Sequence, residues 1–168
     1  MTLLSRVAAV IAAAALLTAL PLAPAQAKSS VKHLTFTVIV TSTGTTLQEL
    51  PGDVTYGWNH LVGPTKWGKR SAELDFLGSV DYIEGSGGFG GFITVTRSDG
   101  TKLAFRADGN AMSPPVAGTE DTHFAGSLEV IGGSGKYKGA TGIGTMTGVR
   151  KAALGSPVKL TFDLRVRQ

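Results

Sequence analysis

Apolar and polar side chains alternate every second residue along most of this chain, and the alternation is cleanest near its C-terminal end. Val158, Leu160, Phe162, Leu164 and Val166 interleave with Lys159, Thr161, Asp163, Arg165 and Arg167. That is the pattern of a strand with one buried and one wet face. Leu34, Phe36, Val38 and Val40 interleave in the same way with His33, Thr35, Thr37 and Thr41, with Ile39 on the polar side. Between these two segments the pattern predicts six more strands: Val54 to Leu61, Ser71 to Ile83, Phe89 to Arg97, Thr101 to Asp108, Asp121 to Ile131 and Gly139 to Arg150. In the second of these, Leu74, Phe76, Val80 and Tyr82 share a phase, and Gly78 marks a bulge or bend. Ser98-Asp99-Gly100 is an Asp-Gly turn closing a hairpin. Three stretches have no strand period and are predicted as irregular connections: Ser42 to Asp53, Leu61 to Lys69 around Gly63-Pro64, and Gly109 to Thr119 with its Pro114-Pro115 pair. Helical periodicity is nearly absent.

Eight antiparallel strands, each apolar on one face, pack as a sandwich or as a closed barrel. Closure is the expectation here. Consecutive hairpins give up-and-down order, which closes at about eight strands, and closure removes open edges. The second point matters because the chain has no cysteine and therefore no disulfide to hold a small domain together.

The first 27 residues have the form of a signal peptide. Arg6 supplies the positive region, Val7 to Leu20 is apolar, Pro21 and Pro24 break any helix, and Ala25-Gln26-Ala27 is an A-x-A cleavage site. Cleavage is expected after Ala27, leaving a secreted domain over 28–168 with no stable membrane anchor. Without cysteine there is no site for a lipoprotein acyl chain, and a single arginine does not make a twin-arginine signal. The whole chain carries a net charge of +4. Such a mild excess, spread along the chain without interleaved aromatics, suits solubility and does not suggest a nucleic-acid partner. All 23 glycines follow the leader, a density well above the roughly 7% of average proteins, which implies tight turns and close strand contacts.

The densest glycine run is Gly132-Gly133-Ser134-Gly135-Lys136-Tyr137-Lys138-Gly139-Ala140-Thr141-Gly142. It lacks the glycine spacing and the Ser/Thr after lysine of a phosphate-binding loop. It resembles instead the G-G-[ST]-G-x-[FY]-x-x-A-x-G hairpin of dirigent proteins and allene-oxide-cyclase-like barrels, with Phe124 to Val130 leading into it as in bacterial members. The specific part of the likeness covers about 30 residues. The resemblance implies an eight-stranded antiparallel calycin-like barrel with an apolar cavity. It also implies cyclisation of an oxidised fatty-acid epoxide or steering of phenolic radical coupling, with no metal or organic cofactor, and relatives that form dimers and trimers. In physical terms the motif builds the fold: its glycines permit positive φ, Ser134 bonds the turn backbone, and Tyr137 caps a barrel end.

No motif specifies a reaction. His33, His60 and His123 lack metal-ligand spacing, and there is no G-x-S-x-G nucleophile elbow. Polar groups on the apolar parity are the better search, since a charge facing a barrel interior needs a reason. Extending Leu74 to Tyr82 reaches Glu84, extending Ile93 and Val95 reaches Arg97, and Tyr56, Trp58 and His60 share a face. The expectation is one cavity mouth ringed by these residues. Glu84 or His60 would act as acid/base, Arg97 would stabilise an anion, and Tyr56, Trp58 and Tyr82 would shape an apolar pocket. The competing expectation is that strand-end charges pair with each other at a wet rim. Departures from the enzymes weigh against catalysis: Val31 to Thr41 holds no acid, and Glu49 falls in a predicted loop.

Two main functions follow, and a third stands behind them. One is a secreted barrel that binds an apolar small molecule, with isomerase or cyclase activity on it, in a cavity of a few hundred Å³. The other is a non-catalytic module with a side-chain-filled barrel and its function on the loops. A third, a β-sandwich adhesion or carbohydrate-binding domain, would display Trp58 and Trp67 as aromatic platforms.

Overall fold

The computed structural model describes residues 30–113 and 121–168. The leader and its cleavage site, and the Pro114-Pro115 stretch, lie outside the described residues. Nine strands run in chain order: β1 (Val31–Thr45), β2 (Gln48–Leu50), β3 (Val54–Trp67), β4 (Arg70–Ile83), β5 (Ser86–Arg97), β6 (Lys102–Met112), β7 (Thr122–Gly133), β8 (Thr141–Arg150) and β9 (Val158–Arg167). From β3 to β9 each strand pairs antiparallel with the next, β9 pairs with β1, and β1 pairs back with β3. Eight strands thus form a closed antiparallel barrel, and β2 is a short extra strand on β3.

The closing strand β1 is divided between two neighbours. It is in register with β9 from Val31↔Arg167 to Val40↔Val158, and its last residues pair with β3 from Thr41↔Val62 to Thr45↔Asn59. Beyond that ladder the Thr65 hydroxyl donates to the Thr37 carbonyl at 2.9 Å, continuing the seam.

The alternating residues of β1, β4 and β9 point inward as their pattern demands. Leu74, Ile93, Phe105, Phe162, Leu164 and Val166 are among the fully buried side chains, each worth roughly 1.5–3 kcal/mol relative to exposure. Phe162 lies at the centre, stacked on Phe36 with ring centroids 4.8 Å apart and tilted against Phe105 at 5.8 Å.

Three expectations about connections are corrected. Leu61 to Lys69 is not a loop, because β3 continues through Gly63-Pro64 and pairs with β4 as far as Trp67↔Arg70. The proline is tolerated because the ladder to β1 stops at Val62, so nothing on that side requires the N–H it lacks. Ser42 to Asp53 contains the end of β1 and all of β2, and β6 runs on to Met112. Gly78 makes no bulge: β4 and β5 stay in register from Ile83↔Ser86 to Ala72↔Arg97. The Phe76 ring lies 3.0 Å from where a Cβ on Gly78 would sit, so the glycine makes room for that ring.

The glycine-rich run closes one end of the barrel. A one-turn 3-10 helix (Gly135–Tyr137) starts on Gly135 at φ +58, a conformation that favours glycine. A Cβ on Gly133 would fall 2.5 Å from the Lys102 carbonyl oxygen. The Ser134 hydroxyl accepts from the Lys102 N–H at 2.9 Å and donates to the Gly100 carbonyl at 3.4 Å, locking this turn to the neighbouring Asp-Gly turn. Tyr137 is buried, its ring 4.8 Å from that of Trp67 across the barrel end.

Candidate functional site

The opposite end is built differently. Strands β4, β6 and β8 finish there, and β5, β7 and β9 begin there. Tyr82 near the end of β4 and Arg150 at the end of β8 both point inward. Below them lie Phe89, Phe124 and Met146; Leu47 and Leu154, from the connections beyond the strand ends, close over the rim. These residues enclose a largely apolar cavity of about 60 Å³. That is space for a few waters, so among the described residues this cavity is smaller than the expected few hundred Å³. Side chains fill most of the barrel.

Arg150 is the dominant charge in this cavity. The residue is only 7% exposed. Its Nε donates to the Ala152 carbonyl at 3.1 Å and its Nη2 to the Thr122 hydroxyl at 3.0 Å. Thr122 in turn meets the Ser113 hydroxyl at 2.9 Å. The guanidinium lies 5.8 Å from the Phe124 ring centroid, within cation–π range. Among the described residues no carboxylate pairs with it, and Nη1 makes no hydrogen bond. Burial lowers the guanidinium below its ordinary value while nearby Tyr82 pulls it back up; arginine nevertheless remains a cation in proteins. Burial pushes the Tyr82 phenol up to about 12, partly offset by Arg150, so at neutral pH it is a neutral hydrogen-bond donor. On the far wall the Ser42 hydroxyl donates to Asn59 Oδ1 at 2.5 Å, across the β1–β3 seam. The cavity therefore presents a fixed cation and a phenolic donor against apolar walls, groups whose chemistry is complementary to an oxygen anion or a strong acceptor.

Of the residues singled out from the sequence, only Tyr82 lies in this cavity. Tyr56, Trp58 and His60 are on the outer face of β3. Both Tyr56 and Trp58 are 55% exposed, and His60 Nε2 meets Asp75 Oδ1 at 2.8 Å on that outer surface. The inward positions of β3 run through Gly57, Asn59, Leu61 and Gly63 before Trp67 at the far end, and the first four carry little apolar signal, so parity assigns the aromatic positions to the wrong face. Glu84 is exposed in the β4–β5 turn at φ +51, and its N–H donates to the Asp53 carbonyl at 2.9 Å.

Arg97 is at the other end of the barrel, because β5 runs antiparallel to β4 and Arg97 pairs with Ala72. Its Nη2 is 3.5 Å from Asp99 Oδ2 and its guanidinium lies 5.6 Å from the Trp67 ring centroid. Its buried Nε has no partner among the described residues. Trp67 is buried and is no platform. His33 is exposed and pairs with Asp163 at 2.7 Å, and His123 is exposed on β7. Glu49 is exposed on β2. Among the described residues no three His, Asp or Glu side chains gather as a metal site. Arg150 escapes a reading by parity although it has the same phase as Met146. Three of the other inward positions of β8 are Gly142, Gly144 and Gly148, so that face shows no hydrophobic run.

No family model matches the sequence, and no curated protein matches it. Comparison of structures is more informative. A pterocarpan synthase dirigent protein, GePTS1, superimposes with a TM-score of 0.56 at 18% identity, covering 83% of this chain and 91% of that one. The chain has the dirigent-like barrel fold. A conserved protein of unknown function from Rhodopseudomonas palustris, RPA1785, shares that fold with a TM-score of 0.53 at 14% identity, covering 83% of this chain and 99% of that one. At these identities the dirigent-like likeness is one of architecture: an eight-stranded closed barrel over nearly the whole described region.

Proposed function

We propose that this protein binds an apolar small molecule end-on. The molecule's anionic or acceptor head enters the cavity between Arg150 and Tyr82, and its apolar remainder lies against Leu47 and Leu154 at the rim. The observation that carries this reading is Arg150 itself, a nearly buried cation held by neutral partners, with Nη1 free among the described residues to bond an incoming oxygen. Burying such a charge is costly unless it is paired. The small cavity favours partial insertion over full enclosure. The leader-like segment over residues 1–27 is the basis for proposing that binding takes place outside the cell.

Catalysis is a further step on the same site. The neighbour GePTS1 is described as a pterocarpan synthase. If this barrel cyclises or isomerises its ligand, Arg150 and Tyr82 would act by stabilising a developing oxyanion. The second reading, a filled barrel that works through its loops, draws its support from the same 60 Å³ cavity.

The test is to incubate the protein with a panel of fatty acids, phenols and matched neutral alcohols and to identify retained molecules by native mass spectrometry. Acids or phenols should be retained, with affinity roughly tenfold or more lower in Arg150→Met, the loss expected for one charged hydrogen bond. Retention of nothing, or retention unaffected by Arg150→Met and Tyr82→Phe, would overturn the proposal in favour of the loop reading.

A further inference from the structure

The outer face of the barrel carries a second feature, independent of the cavity. Two cross-strand rows on β3 to β6 share one composition. The first runs Tyr56, Asp81, Gly88, Asn110, and the second runs Trp58, Ser79, Gly90, Asp108. In each row an aromatic ring stands on β3, a polar group on β4, a glycine on β5 and an amide or carboxylate on β6. The two glycines remove the side chains that would fill β5, leaving an open furrow of about 260 Å³ lined by Tyr56, Ser79, Asp81, Gly88, Gly90 and Asp108, with Trp58 and Asn110 beside it in the same rows. Its floor is backbone, one wall is aromatic and the other carries polar side chains. Three strand gaps of about 4.8 Å make it roughly 14 Å across.

The chemistry of the walls selects the occupant. Tyr56 and Trp58 are each 55% exposed, rigid amphipathic surfaces that bind at low entropic cost. Asp108 leans over the floor, its Oδ1 3.1 Å from where a Cβ on Gly90 would sit, and it is held there by Arg106 Nε at 2.9 Å. Asp81 is exposed and makes no ion pair among the described residues. A pyranose ring offers an apolar C–H face to an aromatic ring and hydroxyl donors to carboxylate and amide oxygens. Asp108 is compensated by Arg106, so the charge that disfavours an anionic polymer is that of Asp81, which a two-fold contact with a second copy of this chain would set against its like.

We infer that this furrow is a binding site for a neutral saccharide chain, with Tyr56 and Trp58 stacking on sugar rings and Asp81, Asp108 and Asn110 accepting or exchanging hydrogen bonds with their hydroxyls. It does not depend on the cavity or on Arg150.

The experiment is native electrophoresis of the purified protein in gels containing a soluble neutral glucan, mannan or xylan, with alginate as the anionic comparison. Cello- and manno-oligosaccharide titrations followed by tryptophan fluorescence would accompany it. At least one neutral polymer should retard the protein. Trp58→Ala and Gly88→Leu should each weaken that interaction about tenfold or more, while Arg150→Met leaves it unchanged. Gly88 has no positive φ, and among the described residues no atom beyond its chain neighbours lies within 4 Å of where its Cβ would sit, so its leucine variant should fold and fill the furrow; circular dichroism checks this. Three outcomes overturn the inference: no retardation by any neutral polymer, retardation unchanged by Trp58→Ala and Gly88→Leu, or retardation by alginate alone. So does a concentration-dependent dimer that Trp58→Ala abolishes without any saccharide effect.

Discussion

Each end of the barrel holds one inward arginine at the last residue of a strand, set over an aromatic ring and close to a buried tyrosine. Arg97 lies 5.6 Å from the Trp67 centroid and Arg150 lies 5.8 Å from that of Phe124. Their partners differ. Arg97 reaches Asp99, whose carboxyl is held below its ordinary range chiefly by hydrogen bonds from Thr101, and the Trp67–Tyr137 pair covers that end. Among the described residues Arg150 donates only to a hydroxyl and a carbonyl, and beside it the barrel leaves a cavity. The lesson is that the nature of the partner separates the two roles. A carboxylate completes a plug, whereas neutral partners hold a cation in place without neutralising it.

Removing the plug should have the largest effect. Tyr137→Ala or Trp67→Ala should cost about 3–5 kcal/mol, the usual range for emptying a buried aromatic site, read as a lower urea midpoint. Ligand retention at the far mouth should persist wherever the variant remains folded.

The two arginines should then part company. Arg97→Met should lose about 1–2 kcal/mol, through its cation–π contact and its ion pair, with no change in ligand retention. Arg150→Met should be neutral or slightly stabilising, as replacement of a buried charge by an apolar side chain often is, while retention of acids falls. Equal destabilisation by both would erase the distinction between the ends.

A smaller effect should appear at alkaline pH. The folded-state value for Tyr82 is raised, so its neutral form is the one that folding favours. The associated stability is complete below the unfolded phenol's value near 10 and is lost as pH rises towards about 12. Chemical denaturation across that window should show a declining midpoint, and Tyr82→Phe should flatten the decline. The smallest change is expected at Glu84, placed at φ +51 before Gly85 at φ +75. Glu84→Asn creates the Asn-Gly pair that such hairpin turns prefer. It should raise the melting midpoint by the equivalent of a few tenths to 1 kcal/mol and leave retention untouched. A loss of binding there would return Glu84 to the site.

The fold is legible where large apolar residues alternate. β1, β4 and β9 face the way their sequence says, and following the β4 phase leads to Tyr82. Legibility fails on β3 and β8 for a shared physical reason. A Cβ on Gly57, Gly63, Gly142 or Gly144 would run into the carbonyl oxygen of Thr46, Ile39, Arg165 or Asp163, so close approach of neighbouring backbone leaves these inward positions to glycine. A strand whose inward residues are Gly57 and Gly63, or Gly142, Gly144 and Gly148, shows its apolar side chains to solvent instead. Tyr56, Trp58 and Ile143 all advertise the wrong face, and Arg150 stays hidden behind the glycines that precede it. Arg97 and Glu84 each trace correctly to a strand end, but antiparallel neighbours send those ends in opposite directions.

The partition of β1 between β9 and β3 has a kinetic corollary. The first long strand finds its main mate in the last, so His33 waits for Asp163, 130 positions downstream. Hairpins in the middle of the chain form from near neighbours, but the cylinder cannot shut until Val158–Arg167 arrives. A chain of such high contact order matures slowly, and its final step is a zip along ten matched pairs that joins head to tail.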